Sequence, residues 1–524
     1  MSPLLAMGAF ARAAHITVKS PTARLGNRMF ASSTDATTHV GRPLAKKTTW
    51  ELWRSLLVFR VCTIQPVVKH ADRIIAAFDS IGLSSLSNLV IKYTFYNQFC
   101  AGETPKEIKS LIDSYQANGI RTLLEYAYES DIESQKSGGM SPGSSSVVKA
   151  LADTIDYAAL GKDSFTAIKI TALLDPQVLE RISNVCNRIQ ASFFASVDLE
   201  RTPSLSAAHS KSDLVRVLSS LLDIPAQEAA VLADTLFPKS STVDWVDFSS
   251  VVTPSNPVLR GHLSKLAIKD ETLASAADLD ALDRTLEHTK ALCTRSKQLG
   301  VWMAVDAEFY YCQPAIDHIS RELERIFNKP SQPGDLPLVH NTLQCYRKDA
   351  LWRLSVESER ARRLGYALGI KAVRGAYVVH ERARAKTLGT PDPVWPTIEG
   401  THWSYNTIIQ LMLEKIASGT NAGLVIAGHN EESVRRAREK MAELGIENDS
   451  PRVRFGQLQG MMDHLTLSLA NDRYRAMKAT CQGPVNVCIP YLIRRAQENS
   501  SALAGAGREL HVIWSELKAR RLFF

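Results

Sequence analysis

A chain of 524 residues, 45% hydrophobic and 22% charged, has ample material for a core and fits either two to four domains or one large α/β barrel with additions. No run approaches the roughly 18 apolar residues that a membrane-spanning helix needs. The formal charge of +8 is concentrated in residues 1–49, where seven Lys or Arg face a single acid, Asp35; the body is close to neutral, which argues against a nucleic-acid footprint.

That leader is rich in Arg, Ala and Ser, and "PLLAMGAFARAAHITVKS" can form a basic amphipathic helix without the apolar centre of a secretory signal. It reads as a mitochondrial transit peptide over 1–49, with "RMFASS" at 28–33 as a place for removal; a disordered basic tail is the alternative. The eight cysteines (62, 100, 186, 293, 312, 345, 481 and 488) are scattered and form no CxxC, so reduced thiols are expected rather than a disulfide frame or zinc site.

Residues 50–118 read as a helical region. Its last helix starts at a Thr cap before Pro105 and stops at Gly119. From 119 the pattern changes. Short apolar runs, each followed by a longer helical stretch, begin at "RTLLEYAY" and continue through "FTAIKITAL", "GVWMAVDAE", "PLVHNTLQCY", "IKAVRGAY", "AGLVIAGHN", "RVRFGQLQG" and a weaker "YRAMKAT". "SGGMSPGSSS" at 137–146 is a loop between the first two. Eight strand–helix units predict a parallel sheet closed as a (βα)8 barrel over 119–524, with an open doubly wound sheet as the structural alternative. No GxGxxG follows an early strand, so a Rossmann nucleotide site has little support. Residues of about 177–290 are too long for one crossover and read as a helical insertion. Within it "LFPKSSTVDWVDFSSVV" has a faint EF-hand look, with poor ligand spacing and no glycine at the sharp turn.

In such a barrel the strand ends gather at one mouth, where sites are built. These ends offer Lys169, Asp306 with Glu308, Gln344, Lys371 with Arg374, His429 with Asn430, and Gln457 with Gln459. A lysine in "AIKIT" is costly to bury without an anion, and a structural ion pair with Asp306 is one account of it. Asp306 and Glu308, alternating on a strand, could share a divalent metal with His429, as in a barrel lyase or hydrolase. Small residues in "VRGAY", "GHN" and "GQLQG", beside amide and imidazole groups, suit a flat organic cofactor instead. Near the chain end, "YLIRRAQEN" reads as a helix with two stripes. Ile489, Leu492, Ile493 and Ala496 are apolar; Tyr491, Arg494, Arg495 and Glu498 are polar. Two adjacent guanidinium forks suit a carboxylate or phosphate, whereas the bland account is a solvated charge run.

Six segments, in order, carry a resemblance: "VDAEFYYCQPAID", "NTLQCYRKDA", "KAVRGAYVVHERARAKTLG", "AGHNEESVRRAREKMAELGI", "FGQLQGMMD" and "GPVNVCIPYLIRRAQENSS". Together they closely resemble the mitochondrial proline dehydrogenase family, and the likeness runs from about Thr94 to the end, the insertion included. The resemblance implies a distorted (βα)8 barrel binding FAD, non-metal chemistry, and oxidation of L-proline to 1-pyrroline-5-carboxylate. Hydride would pass to flavin N5 and electrons to ubiquinone, with peripheral association on the matrix side of the inner mitochondrial membrane.

The same resemblance suggests roles. Lys169, Arg494 and Arg495 fall where the family holds the proline carboxylate, and Tyr377, Leu458 and Tyr491 where it walls the proline ring. Asp306 and Lys371 match catalytic mouth positions near flavin and substrate; many relatives have Arg where this chain has Lys371. Gln344, Lys371, Val373, Arg374, Gly375, Thr401, His429, Asn430 and Glu498 match positions lining the flavin, and Glu498 would also orient the arginines. One departure stands out. The family usually has a tyrosine four residues before the glycine of its last strand, packing over the substrate ring; ahead of Gly483 this chain has Ala479. The missing wall is worth about 1–3 kcal/mol of apolar contact and opens room for a larger substrate such as 4-hydroxyproline.

Overall fold

A computed structural model describes residues 42–128, 143–195, 207–332, 334–501 and 503–520. Most of the basic leader and its expected removal site lie outside those residues.

Eight parallel strands close a barrel: β1 (Arg121–Tyr126), β2 (Phe165–Ile168), β5 (Trp302–Val305), β6 (Val339–Gln344), β7 (Leu368–Val373), β8 (Ala422–Ala427), β9 (Val453–Leu458) and β10 (Ala476–Gln482). Around the ring the order is β1-β10-β9-β8-β7-β6-β5-β2. Every apolar run expected to be a strand is one, the weak "YRAMKAT" included. The strands are buried nearly end to end because side chains fill the interior and helices cover the outside. Leu123, Phe165, Ala167, Ala304, Val425 and Met477 pack together as one cluster.

The base of the barrel is sealed by charge. Asp163, just ahead of β2, accepts from Arg454 at 2.7 Å and Arg121 at 3.2 Å, and also pairs with Arg475. Arg121 and Arg454 open β1 and β9 and Arg475 directly precedes β10, so one carboxylate ties the starts of three strands.

The helices before the barrel form as their caps dictate. Thr48 and Thr104 each make a capping box, with Glu51 and Glu107, and start Thr49–Cys62 and Pro105–Ala117. The chain between them crosses the top of β10. Ala101 N donates to Cys481 O at 2.7 Å, Gln459 Nε2 to Cys100 O at 2.7 Å, and Tyr96 Oη to Gly483 O at 2.6 Å. Gly460 allows this approach: its φ is +73°, and a Cβ there would sit 2.2 Å from Gln98 O.

The long segment between β2 and β5 is helical, as expected, apart from a small antiparallel pair, β3 (Ala208–Ser210) with β4 (Thr242–Asp244). The EF-hand-like stretch uses its acids on protein. Arg363, from the barrel helix Ala350–Leu364, donates to Asp244 at 2.6 and 2.8 Å and to Asp247 at 2.8 Å. A guanidinium thus occupies the carboxylates a cation would need.

Candidate functional site

The carboxyl ends of the strands bring the candidate residues to one mouth. Lys169 follows β2 directly and is largely enclosed, its side chain 14% exposed. Burial alone would lower its pKa, but Glu125, Tyr377 and Asp306 outweigh it and raise the value. Glu125 on β1 stands 4.0 Å from its ammonium, whereas Asp306, the partner the sequence suggested, adds only to the surrounding field. The register explains this: Glu125 lies opposite Ala167, so Lys169 is its diagonal neighbour two residues on.

Asp306 pairs with Lys371 of β7 at 2.5 Å. The reading of Asp306 and Glu308 as alternating strand residues is corrected. β5 ends at Val305, and beyond it the two acids part. Glu308 turns into the protein: Thr171 N donates to its Oε1 at 3.0 Å and the Thr171 hydroxyl to its Oε2. Burial raises the Glu308 pKa. His429 faces elsewhere again, its Nε2 accepting from Leu458 N–H at 3.0 Å. The proposed metal trio is therefore not assembled, and among the described residues no group of three His, Cys, Asp or Glu could hold a metal ion.

His429 is buried beside Lys478, Arg495 and Arg374; burial first and those cations next push its pKa down to about 3. A neutral ring that accepts at Nε2 carries its proton on Nδ1, making His429 a fixed donor. On the same side, Arg374 lies over the Tyr405 ring at 3.9 Å and donates to Ser433 Oγ at 2.5 Å. Ser433 N in turn donates to Asn430 Oδ1 at 2.9 Å, the cap of helix Glu431–Glu443. Gln344 donates to Glu308 O at 2.7 Å. Val373 ends β7, its carbonyl accepting from Cys345 N at 2.9 Å, and Thr401 is buried in helix Ile398–Ala417. Gly375 has a different reason from the one inferred: a Cβ there would meet Val378 at 2.5 Å and the Tyr346 ring at 3.0 Å, so protein packing already demands glycine.

The helix Val485–Ser501 brings the arginine pair across the mouth. Both of its stripes are partly covered: Leu492, Ala496 and Tyr491 are buried, while Arg494, Arg495 and Glu498 are half-buried. Arg495 Nη2 donates to Glu498 Oε1 at 2.6 Å, and its guanidinium lies 4.9 Å from the Tyr491 ring centre. Burial and the adjacent Arg495 push Arg494 down to about 10, and burial pushes Glu498 up. A solvated charge run would do neither. Tyr377 packs its ring on Phe309, centroids 4.6 Å apart. Ala479 of β10 sits between Leu123 and Leu458 in register, so the strand position of the absent aromatic wall faces Leu458.

The mouth also fits a flat cofactor with ring carbonyls and nitrogens. Gln344 Oε1 and Arg374 Nη1 on one side, and Arg495 Nε and Tyr491 Oη on the other, are buried polar atoms that meet no protein partner. They offer an acceptor, two cationic donors and a hydroxyl.

Two residues at the site escaped the sequence reading. Glu125 is the long-range counter-charge of Lys169 and of both arginines. Lys478, buried in β10, donates to Leu458 O at 3.1 Å and Met461 O at 2.5 Å and pairs with Asp463 at 2.7 Å, shaping the turn after β9. Each is a charge inside an apolar strand run, the signal that singled out Lys169.

Comparison with known proteins gives the family and the fold. The family model for proline dehydrogenase matches residues 108–506. Human "Proline dehydrogenase 1, mitochondrial" is 32% identical over 90% of this chain and 87% of its own length. "Hydroxyproline dehydrogenase" of Xenopus laevis is 32% identical over 91% and 88%, and that of Bos taurus 32% over 91% of each. Among solved structures, proline utilization A from Bdellovibrio bacteriovorus superposes with a TM-score of 0.55 at 14% identity, over 90% of this chain and 40% of that longer one, a likeness of fold. The chain is thus a member of the proline dehydrogenase family, a family of oxidoreductases.

Proposed function

We propose that the chain is an FAD-dependent proline dehydrogenase, converting L-proline to 1-pyrroline-5-carboxylate. The observation that carries this reading is the convergence of three largely enclosed cations, Lys169, Arg494 and Arg495, the last with its Nε buried and unpartnered, beside a wall of Tyr491, Leu458 and Tyr377. Two planar forks and an ammonium fix a carboxylate in one orientation. The ring then lies against the wall, which sets the carbon beside nitrogen in place. The same cations disfavour the ammonium form of the bound amine, and burial adds to that, so loss of its proton is favoured before oxidation. Asp306, paired with Lys371, keeps that side of the mouth neutral overall. FAD, held by Gln344, Lys371, Val373, Arg374, Gly375, Thr401, His429, Asn430 and Glu498, would supply the hydride acceptor. The donor face of His429 and the cations Arg374 and Lys371 suit electron-rich ring atoms.

Hydroxyproline is the second reading, and Ala479 favours it: the missing side chain leaves room beside the ring. Relatives named for each substrate are equally similar at 32% identity. Purified protein should be yellow, and anaerobic L-proline should bleach its flavin bands. Faster bleaching by trans-4-hydroxy-L-proline would select the second reading, and colourless protein that takes up no FAD would overturn both.

The acceptor and place follow as part of the proposal: ubiquinone, at the matrix side of the inner mitochondrial membrane. No helix among the described residues is long and apolar enough to cross a membrane. Contact would be peripheral, through the short helices Ala71–Ser80 and Ser84–Ile91. Ile74, Phe78, Ile81, Leu86, Leu89 and Val90 are exposed there, with Lys69 and Arg73 at the edge. Ser84–Ile91 packs on the arginine-bearing helix, so a lipid-dissolved acceptor would arrive beside the site. Replacing Phe78 and Leu89 with Ser should release the protein from cardiolipin-containing vesicles while dye-linked turnover persists; unchanged binding would exclude this face.

A further inference from the structure

A second cavity lies outside the ring of strands, where the helical insertion meets the barrel. Its volume is about 330 Å³, and none of the mouth residues discussed above lines it. Helices Pro176–Phe194 and Trp245–Val251 form one wall; Gln313–Phe327 and the start of Ala350–Leu364 form the other. The aromatic part of the lining is Phe194, Trp245, Tyr310 and Trp352, the two indoles stacked with centroids 6.4 Å apart at 26° and the Arg347 guanidinium 4.5 Å from the Tyr310 ring centre. The polar part is rich in donors. Arg347 and Arg353 are more than nine-tenths buried, and the Nη1 of each meets no protein acceptor; the same is true of Trp352 Nε1.

The acids around the cavity cannot supply those acceptors, because each is already engaged. Asp349 takes Arg347 Nε and Nη2 at 2.9 and 2.5 Å. Asp317 takes Arg353 Nη2 together with Gln313 Nε2 at 2.9 Å and Asn341 Nδ2 at 3.2 Å. Glu357 is shared by Arg321 at 3.4 Å and Arg360 at 3.1 Å. Three buried donors left over beside an aromatic wall, at the start of a fifteen-residue helix whose dipole adds to them, describe half of an anion site. Three lining arginines face three acids, so the cavity carries no surplus charge to hold a polyphosphate, and its unpartnered donors suit at most a single negative charge. The volume, at the small end of ligand pockets, limits the guest to a small molecule.

We propose that this cavity is a second ligand site, which binds a small monocarboxylate with a flat apolar body: the carboxylate on Arg347 Nη1, Arg353 Nη1 and Trp352 Nε1, the body along Trp245 and Trp352. It is separate from the mouth and does not depend on the reading given for the mouth.

The test uses the full chain labelled with 5-fluorotryptophan and followed by fluorine NMR, with Trp245 and Trp352 assigned through Trp245→Phe and Trp352→Phe. Benzoate is the probe and benzamide its uncharged match. The expected result is a saturable shift of both resonances by benzoate at about millimolar concentration, with benzamide weaker by roughly tenfold or more. Thr253→Phe, which fills the cavity, should abolish the shift. Trp352→Phe, which removes one donor, should weaken binding at the Trp245 resonance roughly fivefold. Trp403, next to His402, which accepts from Arg374, reports binding at the mouth separately. Equal response to benzoate and benzamide, a shift confined to Trp403, or no saturable shift of Trp245 and Trp352 would each overturn the proposal.

Discussion

The two ends of the barrel solve the same problem in opposite ways. At the base, Arg121, Arg454 and Arg475 surround Asp163, whose oxygens take all three directly. Despite burial, Arg454 and Arg475 hold the Asp163 carboxyl below its ordinary range. At the mouth, Lys169, Arg494 and Arg495 also form a cationic trio, but their acids stand off or sit awkwardly. Glu125 is 4.0 Å from Lys169, and Glu498, bonded to Arg495, is pushed up rather than down. Arg494 is depressed to about 10. Burial lowers an arginine at each end, Arg454 at the base and Arg494 at the mouth, so the difference lies in the acids: the base lowers Asp163 and the mouth raises Glu498. On the proposed reading, a cationic trio stabilises the fold where the protein supplies a close carboxylate, as Asp163 does, and receives a ligand's carboxylate where it lines the mouth.

The comparison can be broken at its base first. Asp163→Asn leaves three arginines, one of them almost wholly buried, without a counter-charge, and should lower unfolding stability by about 3–5 kcal/mol in urea titrations. Michaelis constants of the surviving enzyme should not move. A mild loss, or a changed KM, would show that the two ends are not separate.

The mouth should respond the other way. Arg495→Met is expected to reduce kcat/KM for proline by roughly a hundredfold, about 3 kcal/mol, while flavin stays bound and stability changes little. Equal loss of flavin would reassign the arginine to the cofactor. Ala479→Tyr sharpens the same end more gently. Restoring a ring wall should shift the preference between proline and hydroxyproline by roughly tenfold toward proline, as about 1–2 kcal/mol of contact returns.

The most gradual effect is a pH slope near the base. His340 of β6 packs against Phe165 near Arg454, and burial with that neighbouring cation pushes its pKa down to about 3. The folded form therefore refuses a proton that the unfolded chain accepts near pH 6.5. This contribution to stability is full above that pH and is lost as pH falls toward 3, by at most about 1.4 kcal/mol per unit. His340→Gln lacks the slope, so its stability deficit against the parent should narrow between pH 6 and 4; a constant deficit would contradict the assignment.

Much of this was legible in the sequence, for identifiable reasons. Strands buried on both faces are continuous apolar runs, so all eight stood out, and their polar ends named the mouth residues. Lys169 was found because a lysine inside such a run needs an explanation. Its partner was missed because Glu125 and Lys169 meet only through the β1–β2 register, which local spacing does not encode. Asp306 and Glu308 were misread because the strand stops at Val305, and strand length depends on neighbours. Gly375 looked like space for a ligand, whereas Tyr346 and Val378 already press on it. The docking of the insertion through Arg363 and the cavity beneath it join segments more than a hundred residues apart and left no local trace.

The account rests on the mouth trio grasping the substrate by its acid group. The direct measurement is anaerobic titration of the flavin absorbance with L-proline and with L-prolinamide, which keeps ring and amine but lacks the negative charge. Prolinamide should need a concentration at least roughly a hundredfold higher for the same bleaching, and Arg495→Met should erase most of that difference. Equal bleaching by the two compounds in the parent protein would contradict the account.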